Sequence, residues 1–592
     1  MSSSPIDNIK NNVTDRHTGD RSQLDVIFSP QERILVEAPA GYGKTNTMVS
    51  KIAYMLATGQ IPYPKRLLAL TFSVNASYKI KKDVSQQIPK LLQDMGSNID
   101  IGDKVFVSNY HGFCRRVLKK YGYKFHSSLF EIDKLWAFDD SDAQTVMGSV
   151  EGLIYNDAIL LSDFNAAIKN INGRFLNDNF SKYNEIVVKN VLPKSAIPFN
   201  AILTLTIELF TDYPKILDFY RSYFAAILVD EYQDTNILGY KLVTLLIAEK
   251  TKVILLGDSL QRIYGFIGAV PDLLSISEKK LGLTKFQLNK NHRFASNPQM
   301  LQLDFNIRRN AENPSNPAIG KDALIDLQIV TDQITESSHI LEKSCTLVED
   351  NPGSKVAILV RQRGPNTNTI TEIFDKNNIP YFYGLFTDED IDYVKFHSEC
   401  LSDFMHLIQG NDRITKTVSS LHINKIKKTY NANTSPLYNS LIILLEIFWK
   451  KVFTDFSFLS NEEKILLIRD TFEYNTLKQY IEFIDANIII STVHAAKGLE
   501  WDFVLLCDME QNRFPSYYSL CNKCVCRTSC KLIINQQIER EFLEELSVFY
   551  VAVTRARKQV SFSASKSQLD SHENERPCNL SCFLKLPGIT VQ

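Results

Sequence analysis

Short apolar runs alternate along the chain with stretches in which apolar residues recur at helical spacing. Each run ends in small or polar residues, which is typical of buried parallel strands whose carboxyl-end loops carry function. The runs occupy residues 34–36, 67–70, 227–229, 253–256, 356–360, 487–490 and 503–506. The pattern predicts an α/β protein and, taken alone, favours no narrower class.

Two long stretches, residues 116–196 and 397–481, lack such runs and keep helical spacing instead. We interpret both as mainly helical insertions into α/β cores. Residues 1–19 are polar and contain no apolar segment of the kind that a secretion signal needs. We therefore expect a short disordered tail at this end.

Composition limits the possible functions. Of the 592 residues, 44% are apolar and 22% are charged, which is typical of a globular protein. The net charge of −1 excludes a protein that binds nucleic acid through bulk positive charge, although it allows a local basic channel. No apolar run reaches the length of a membrane span, so we expect a cytoplasmic protein without a membrane partner.

A phosphate-binding loop is predicted at residues 38–45, with the sequence APAGYGKT. The segment lies between an apolar run and an amphipathic helical pattern, which is the context that a P-loop requires. Gly41 and Gly43 would let backbone N–H groups converge on phosphate oxygens. Lys44 would reach the β- and γ-phosphates of ATP, and the Thr45 hydroxyl would bind Mg²⁺.

The run at 227–229 ends in two carboxylates, Asp230 and Glu231. Asp230 is predicted to hold Mg²⁺ through water. Glu231 is predicted to polarise the attacking water as a general base.

Eight segments, taken in order, resemble motifs of the superfamily 1 DNA helicases of the UvrD/Rep/PcrA type. The first is Gln23, which stands 21 residues before Lys44. The others are 71–77 (TFSVNAS), 109–113 (NYHGF), 230–236 (DEYQDTN), 257–269 (GDSLQRIYGFIGA), 291–293 (NHR), 492–500 (TVHAAKGLE) and 550–556 (YVAVTRA). The resemblance therefore extends over nearly the whole chain.

The resemblance implies two RecA-like P-loop domains with parallel sheets and with ATP bound between them. The first would comprise 20–115 and 197–290, and the second would comprise 291–396 and 482–592. Residues 116–196 and 397–481 would then be their insertions, and the second insertion is short for this family.

The resemblance also assigns roles at the nucleotide. Gln261 matches the γ-phosphate sensor, and Arg293 and Arg555 match two arginine fingers, so the expected catalytic residues are Lys44, Glu231, Gln261, Arg293 and Arg555. Gln23 matches a residue that reads adenine, and His292 stands where the family usually has a tyrosine that stacks on it. The expected nucleotide-binding residues are Gln23, Ala40, Gly41, Tyr42, Gly43, Lys44, Thr45, Asn46, Asp230, His292 and Glu500.

DNA contacts are expected where aromatic rings can stack on bases without reading sequence, an interaction of about 1–3 kcal/mol per base. The residues that match family positions for such contacts are Phe72, Asn75, His111, Tyr264, Phe266 and His494. Phe266 replaces a tryptophan and Ile267 replaces an arginine, so both changes predict a weaker hold on DNA.

Four cysteines, Cys521, Cys524, Cys526 and Cys530, lie within ten residues. Such a cluster favours zinc, with an iron–sulfur cluster as the second possibility and no metal as the third. The spacing between the second and third cysteines is tighter than in ordinary zinc knuckles. One ligand could therefore come from elsewhere, with Cys507, Cys578 and Cys582 as candidates.

Two functions remain open from the sequence. The first is an ATP-dependent DNA helicase or translocase that moves 3′ to 5′ on single-stranded or tailed duplex DNA. The second is an ATP-switched, DNA-binding regulatory subunit that unwinds little alone and works with a protein partner such as a nuclease in a phage-defence complex. The short second insertion and the replacements at His292, Phe266 and Ile267 favour the second function slightly.

Overall fold

Two parallel β-sheets, each packed against helices, form the framework of the chain. The computed structural model describes residues 5–93, 100–265, 268–388, 390–410, 413–430, 435–524, 532–569 and 574–592. The chain divides into two compact units, Met1–Lys290 (unit 1) and Asn291–Gln592 (unit 2). The α/β class predicted from the apolar runs is confirmed.

The strands of unit 1 include those predicted from the first four apolar runs. They are β1 (Arg33–Glu37), β2 (Arg66–Thr71), β3 (Val105–Asn109), β4 (Trp136–Phe138), β5 (Ala196–Pro198), β6 (Phe224–Val229), β7 (Lys252–Gly257) and β8 (Thr284–Gln287). Six of them form a parallel sheet in the order β3-β2-β6-β7-β1-β8, and β4 pairs with β5 separately. All the loops that leave the carboxyl ends of these six strands therefore meet at one edge, the carboxyl edge of unit 1.

The central strands of unit 1 are apolar throughout because they have a core on each face. Leu35 and Leu68 belong to one buried cluster, whereas Val36 and Leu67 belong to the other. Adjacent residues of a strand point to opposite faces of a sheet. Because both faces of these strands are buried, their sequences are continuous apolar runs rather than alternating apolar and polar residues.

The helices of unit 1 account for most of its remaining residues. They are α1 (Pro5–Arg16), α2 (Arg21–Phe28), α3 (Lys44–Ala57), α4 (Val74–Leu92), α5 (Ile101–Lys104), α6 (Tyr110–Tyr121), α7 (Ala143–Ser149), α8 (Tyr155–Lys169), α9 (Gly173–Ile186), α10 (Phe199–Asp212), α11 (Pro214–Tyr223), α12 (Ile237–Leu246) and α13 (Leu273–Leu281). The segment 116–196 is largely helical, as predicted from its spacing, but it also contributes β4 and the first residue of β5.

The expectation that residues 1–19 form a disordered tail is wrong for the part that the structure describes. Residues 5–16 form α1, which packs on α3 and α4. Ile9 and Val13, four residues apart on one helical face, are fully buried in a core cluster of unit 1. Two well-placed apolar residues therefore anchor a segment that is polar on average.

The strands of unit 2 form a second parallel sheet. They are β9 (Ala323–Val330), β10 (Val356–Val360), β11 (Phe382–Gly384), β12 (Ile488–Thr492), β13 (Trp501–Leu506), β14 (Ala556–Ser565), β15 (Ser567–Leu569), β16 (Glu575–Pro577) and β17 (Ile589–Val591). The sheet order is β11-β12-β10-β13-β14-β9-β17, with every pair parallel, and β15 and β16 form an antiparallel pair. The last three predicted runs lie in β10, β12 and β13.

The helices of unit 2 include four that cover the segment 397–481. The helices are α14 (Pro298–Glu312), α15 (Gln333–Asp350), α16 (Pro365–Lys376), α17 (Ile391–Leu407), α18 (Lys416–Thr429), α19 (Pro436–Thr454), α20 (Asn461–Glu473) and α21 (Glu539–Val553). Within 397–481 the described residues form helices and turns but no strand. Among the helices that the structure describes, none combines the length and apolarity needed to cross a membrane.

Three carboxylates, Glu336, Asp508 and Glu510, are buried together in unit 2. Glu336 lies on α15, and its Oε1 accepts a hydrogen bond of 2.6 Å from the Ser563 hydroxyl. Burial, followed by the nearby charge of Asp508, raises the pKa of Glu336 to about 7. Unit 2 therefore contains a core acid that titrates near neutral pH.

Candidate functional site

The predicted phosphate loop connects β1 to α3 at the carboxyl edge of unit 1. Gly41 and Gly43 have φ angles of 82° and 81°, a conformation that glycine adopts without the clash that a side chain would cause. The N–H of Ala38 donates to the carbonyl oxygen of Gly257 at 2.9 Å, which ties the start of the loop to the end of β7. The loop therefore ends at the N-terminus of the 14-residue helix α3, and helix N-termini bind anions favourably.

The Lys44 ammonium lies between Asp230, predicted to hold Mg²⁺, and Glu231, predicted to be the general base. Its Nζ is 2.5 Å from Glu231 Oε1 and 3.5 Å from Asp230 Oδ1. Burial alone would lower the pKa of Lys44, but the charges of Asp230 and Glu231 outweigh it and raise that pKa. Lys44 is therefore a fixed positive charge at this edge of the sheet, and the structure brings the three predicted residues together.

Glu231 is held from its other side by a residue that the sequence analysis did not single out. Its Oε2 accepts a hydrogen bond of 2.6 Å from Gln233 Nε2, and Gln233 Oε1 accepts the N–H of Asp258 at 3.1 Å. Asp258 in turn accepts a 2.8 Å bond from the side chain of Gln261, the predicted γ-phosphate sensor. Gln233 lies inside the DEYQDTN motif, so its membership of that motif could have indicated a role at this site.

The residues predicted to hold Mg²⁺ have the oxygen ligands that this ion prefers. Burial raises the pKa of Asp230, and the Lys44 charge opposes that shift. Apart from the Lys44 ammonium at 3.5 Å, the buried Asp230 Oδ1 has no hydrogen-bond partner among the described residues, and Thr45 is the partly exposed second residue of α3. One carboxylate and one hydroxyl fit Mg²⁺, which is usually held by few protein ligands together with substrate phosphates.

Gln23, the predicted adenine reader, contacts the phosphate loop. Its side chain is only 3% exposed, and its Nε2 donates to the carbonyl oxygen of Tyr42 at 3.0 Å. Its Oε1 is hydrogen-bonded to His17 Nδ1, and His17 Nε2 lies 2.8 Å from the Ser50 hydroxyl on α3. His17 was missed because it falls in the segment predicted to be disordered.

The other predicted nucleotide-binding residues of this region are Ala40, Tyr42 and Asn46. Ala40 and Tyr42 lie in the loop itself, and Asn46 is exposed in the first turn of α3. Asn46 Oδ1 accepts a 3.0 Å hydrogen bond from Arg16 at the end of α1. The end of α1 and the residue that follows it therefore contact the surroundings of the nucleotide loop, Arg16 through Asn46 on α3 and His17 through Gln23.

Two of the predicted DNA-stacking rings lie together at the same carboxyl edge. Phe72 directly follows β2, and Tyr264 lies beyond β7. Their ring centroids are 5.5 Å apart with an interplanar angle of 28°, and both rings are half-buried. Phe266 and Ile267, the other residues of this prediction, lie outside the described residues.

The polar residues predicted to contact DNA are divided between the units. Asn75 lies in the first turn of α4 and His111 in the first turn of α6, next to the ends of β2 and β3. Burial, with the nearby charge of Arg115, lowers the pKa of His111 to about 3. In unit 2, burial with the charges of Arg361 and Lys497 lowers the pKa of His494 to about 3. Both imidazoles are therefore neutral at physiological pH.

The first predicted arginine finger, Arg293, is engaged within unit 2. Its guanidinium forms an ion pair with Glu500 and donates to the carbonyl oxygen of Thr554. Arg557, which was not predicted, approaches the other oxygen of Glu500 at 3.4 Å. His292 beside it is exposed.

The second predicted finger, Arg555, is buried, with 3% of its surface exposed. Its Nε donates to the carbonyl oxygen of Val551 at 2.9 Å, and its Nη1 donates to that of Leu499 at 3.0 Å. Its Nη2 donates to the Thr554 hydroxyl at 3.2 Å. In this conformation the guanidinium links the end of α21 to the segment that follows β12.

The cysteine cluster is only partly described. Cys526 and Cys530 lie outside the described residues. The thiols of Cys521 and Cys524 donate to the carbonyl oxygens of Pro515 at 3.5 Å and Leu520 at 3.6 Å. Within the described ranges, no group of three or more His, Cys, Asp or Glu residues is arranged to hold a metal ion.

Comparison with known proteins identifies the family. The UvrD/REP helicase N-terminal domain matches residues 20–281, and the UvrD-like helicase C-terminal domain matches residues 439–567. The chain is 24% identical to DNA helicase II of Rickettsia typhi, over 97% of this chain and 96% of that protein. It is 23% identical to the ATP-dependent DNA helicase PcrA of Staphylococcus epidermidis, over 90% of this chain and 82% of that protein. With two RecA-like domains and these matches over more than half of its length, the chain belongs to the UvrD-like superfamily 1 helicases.

Proposed function

We propose that the chain is an ATP-dependent DNA helicase that uses ATP hydrolysis to move along single-stranded DNA. The observation that carries this proposal is the Lys44 ammonium held between Asp230 and Glu231 at the edge where the phosphate loop opens. The Phe72–Tyr264 pair at the same edge supports DNA as the coupled ligand.

In the proposed hydrolysis, Lys44 exchanges Glu231 for oxygens of the β- and γ-phosphates. Glu231 Oε1 then becomes available to accept a proton from the attacking water, while Gln233 keeps the carboxylate oriented through Oε2. Asp230 and Thr45 would hold Mg²⁺, which neutralises phosphate charge when it is bound. Positioning and charge neutralisation of this kind account for most of the catalysis of phosphoryl transfer.

The family resemblance supports further roles at the nucleotide. Gln261 would sense the γ-phosphate, and Arg293 and Arg555 would neutralise charge that develops in the transition state. To do so, Arg293 must leave Glu500 and Arg555 must leave its backbone acceptors. Both assignments therefore require a rearrangement within unit 2.

DNA binding is proposed to be independent of sequence. Phe72 and Tyr264 would stack on bases, and the neutral imidazole of His111 would offer hydrogen bonds rather than charge. The resemblance further supports movement in the 3′ to 5′ direction.

The test is steady-state ATP hydrolysis with and without a single-stranded dT oligomer. We compare the wild type with Glu231→Gln and, as a matched control, with Glu249→Gln at an exposed position of the same unit. We expect DNA to stimulate the wild type and the control, and we expect Glu231→Gln to bind nucleotide but to lose about 10²–10⁴-fold in kcat. ATP hydrolysis by Glu231→Gln at the wild-type rate would refute the assignment of Glu231 as the general base.

Duplexes with a 3′ or a 5′ single-stranded tail then test direction and unwinding. We expect strand separation only with the 3′ tail. A wild-type chain that binds ATP and DNA but hydrolyses without DNA stimulation and unwinds neither duplex would instead support the regulatory subunit.

A structural zinc ion at the cysteine cluster of 521–530 remains a separate proposal, supported by the spacing of its four thiols. Metal analysis of the purified chain should find about one zinc per chain, whereas iron in place of zinc would favour a cluster.

A further inference from the structure

A second set of aromatic and basic side chains lies at the amino edge of the unit 1 sheet, opposite the nucleotide loop. We call it the amino-edge surface, and it comprises Arg66, Lys120, Tyr121, Tyr123, Lys124, Phe130, Tyr213, Phe219 and Tyr223. Helix α6 starts beside the carboxyl edge and ends at Tyr121, and 12 helical residues span about 18 Å. Helix α11 ends at Tyr223, directly before the first residue of β6.

Three rings of the amino-edge surface are exposed, and four of its rings form two nearly parallel pairs. Tyr123 and Phe130 are 45% and 52% exposed, and their centroids are 5.4 Å apart with an interplanar angle of 6°. Phe219 is 45% exposed and lies 5.6 Å from Tyr223 at 13°. Contiguous exposed apolar rings on a soluble protein usually mark a binding site.

Cations lie over the faces of these rings. Lys124 Nζ is 5.1 Å from the Tyr123 centroid and 5.5 Å from that of Tyr213. Lys120 Nζ is 5.2 Å from the centroids of both Tyr121 and Phe219. The surface therefore alternates ammonium groups with aromatic rings.

Among the described residues, neither Lys120 nor Lys124 has an acidic partner. No carboxylate of the described residues forms an ion pair with Lys120 or Lys124, whereas the nearby Asp133 is paired with Lys119 at 2.6 Å. On the same surface Arg66 is paired with Asp103 at 3.0 Å. Lys120 and Lys124 are thus the cations that a bound anion would neutralise.

We propose that the amino-edge surface binds a second segment of single-stranded DNA, remote from the Phe72–Tyr264 pair. Exposed rings interleaved with cations suit unpaired bases and their phosphates, since bases stack on the rings while the cations neutralise the backbone. The inference rests on the proposed function, because that function supplies the DNA. Because α6 alone spans about 18 Å between the two edges, a strand needs at least about five nucleotides at the B-form spacing to pass from one site to the other, so only longer strands should reach both sites.

The test measures the affinity of the full chain for fluorescent dT oligomers of increasing length, each over a range of salt concentrations. The charge variant is Lys120→Gln with Lys124→Gln. The matched control is Lys279→Gln with Lys280→Gln in the last turn of α13, where Lys280 likewise lies over a ring, that of Tyr240. The ring variant is Phe130→Ala.

For long oligomers, the charge variant should bind more weakly, and its slope of log affinity against log salt should fall by about 1.4, or about 0.7 for each lost phosphate contact. Phe130→Ala should lose about 5-fold to 150-fold in affinity with an unchanged slope, as expected for one lost base stack. The shortest oligomers should bind all variants equally, and the control should match the wild type throughout.

Equal losses for short and long oligomers would overturn the proposal, because the variants would then act on the first site. Unchanged affinity and slope of the charge variant for long oligomers would overturn it as well. If polyglutamate displaced the long oligomer in a manner that needs Lys120 and Lys124 but not Phe130, an acidic protein segment would be the better occupant. These results are separate from the proposed function, which fails if DNA does not stimulate ATP hydrolysis by the wild type.

Discussion

Replacing Gly43 by alanine should expose how tightly the phosphate loop is packed. Gly43 has a φ of 81°, and a Cβ at this position would lie 2.3 Å from Gln23 Nε2. The substitution therefore adds backbone strain and also displaces Gln23 from its bonds to Tyr42 and His17.

The magnitude follows from these two effects. Left-handed backbone strain for a residue with a Cβ costs about 1–2 kcal/mol. The two hydrogen bonds of Gln23 contribute about 0.5–1.5 kcal/mol each. Gly43→Ala should thus cost about 2–5 kcal/mol, and Gln23→Ala should cost about 1–3 kcal/mol.

The assay is hydrogen exchange of the α3 amides without nucleotide, since exchange reports the free energy of local opening. Gly59→Ala is the matched control, because Gly59 has a φ of 69° at the other end of α3 but nothing within 4 Å of its Cβ position. The control should show the strain alone, about 1–2 kcal/mol.

The double variant Gln23→Ala with Gly43→Ala decides the question. Once Gln23 is gone, the new Cβ has nothing to displace, so the double variant should be more stable than additivity predicts by about 1–3 kcal/mol. Strictly additive effects, or a Gly43→Ala cost no larger than that of Gly59→Ala, would refute the packing of Gln23 against the loop.

Three further outcomes are expected. Lys44→Ala should lower kcat for ATP by about 10²–10³-fold, because the developing phosphate charge loses its cation, while DNA affinity measured by anisotropy stays unchanged. Glu336 has a folded-state pKa of about 7, above its ordinary value of 4.5, so the folded state binds a proton more tightly than the unfolded state does. The free energy of unfolding should therefore fall as pH rises between these two values, by up to about 1.4 kcal/mol per pH unit. Glu336→Gln should flatten this dependence in urea unfolding followed by the fluorescence of the buried Trp449 and Trp501. Ile9→Ala should cost about 2–5 kcal/mol in the α3 exchange assay, whereas a disordered tail would give no change.

The central strands were predictable because burial on both faces leaves a continuous apolar run. Strand β8 gave no such signal, since its four residues, TKFQ, are mostly exposed and its pairing with β1 places it at the sheet edge. Helix α1 was missed for a related reason. Its stability comes from packing Ile9 and Val13 on distant segments, which local composition does not reveal.

The candidate site likewise contains residues that the sequence could predict and contacts that it could not. Lys44, Asp230 and Glu231 were predictable because the topology of a parallel sheet brings the loops after β1 and β6 to one edge. The engagement of Gln23 by His17 was not predictable, because it depends on where α1 lies. The three acceptors of Arg555 are likewise supplied by backbone and hydroxyl groups, which no motif encodes.

The hydrogen bonds around Arg555 also have a mechanical meaning. Arg555 links the end of α21 to Leu499, Arg293 links Glu500 to the carbonyl of Thr554, and the N–H of Trp501 donates to the carbonyl oxygen of Arg555 at 3.0 Å. These hydrogen bonds join three segments that are far apart in sequence: the one around Arg293, the one at 499–501 and the end of α21. A force applied to any one of them is shared by all three, so this part of unit 2 should be stiff as long as Arg293 and Arg555 keep these acceptors, and should become more deformable once they leave them.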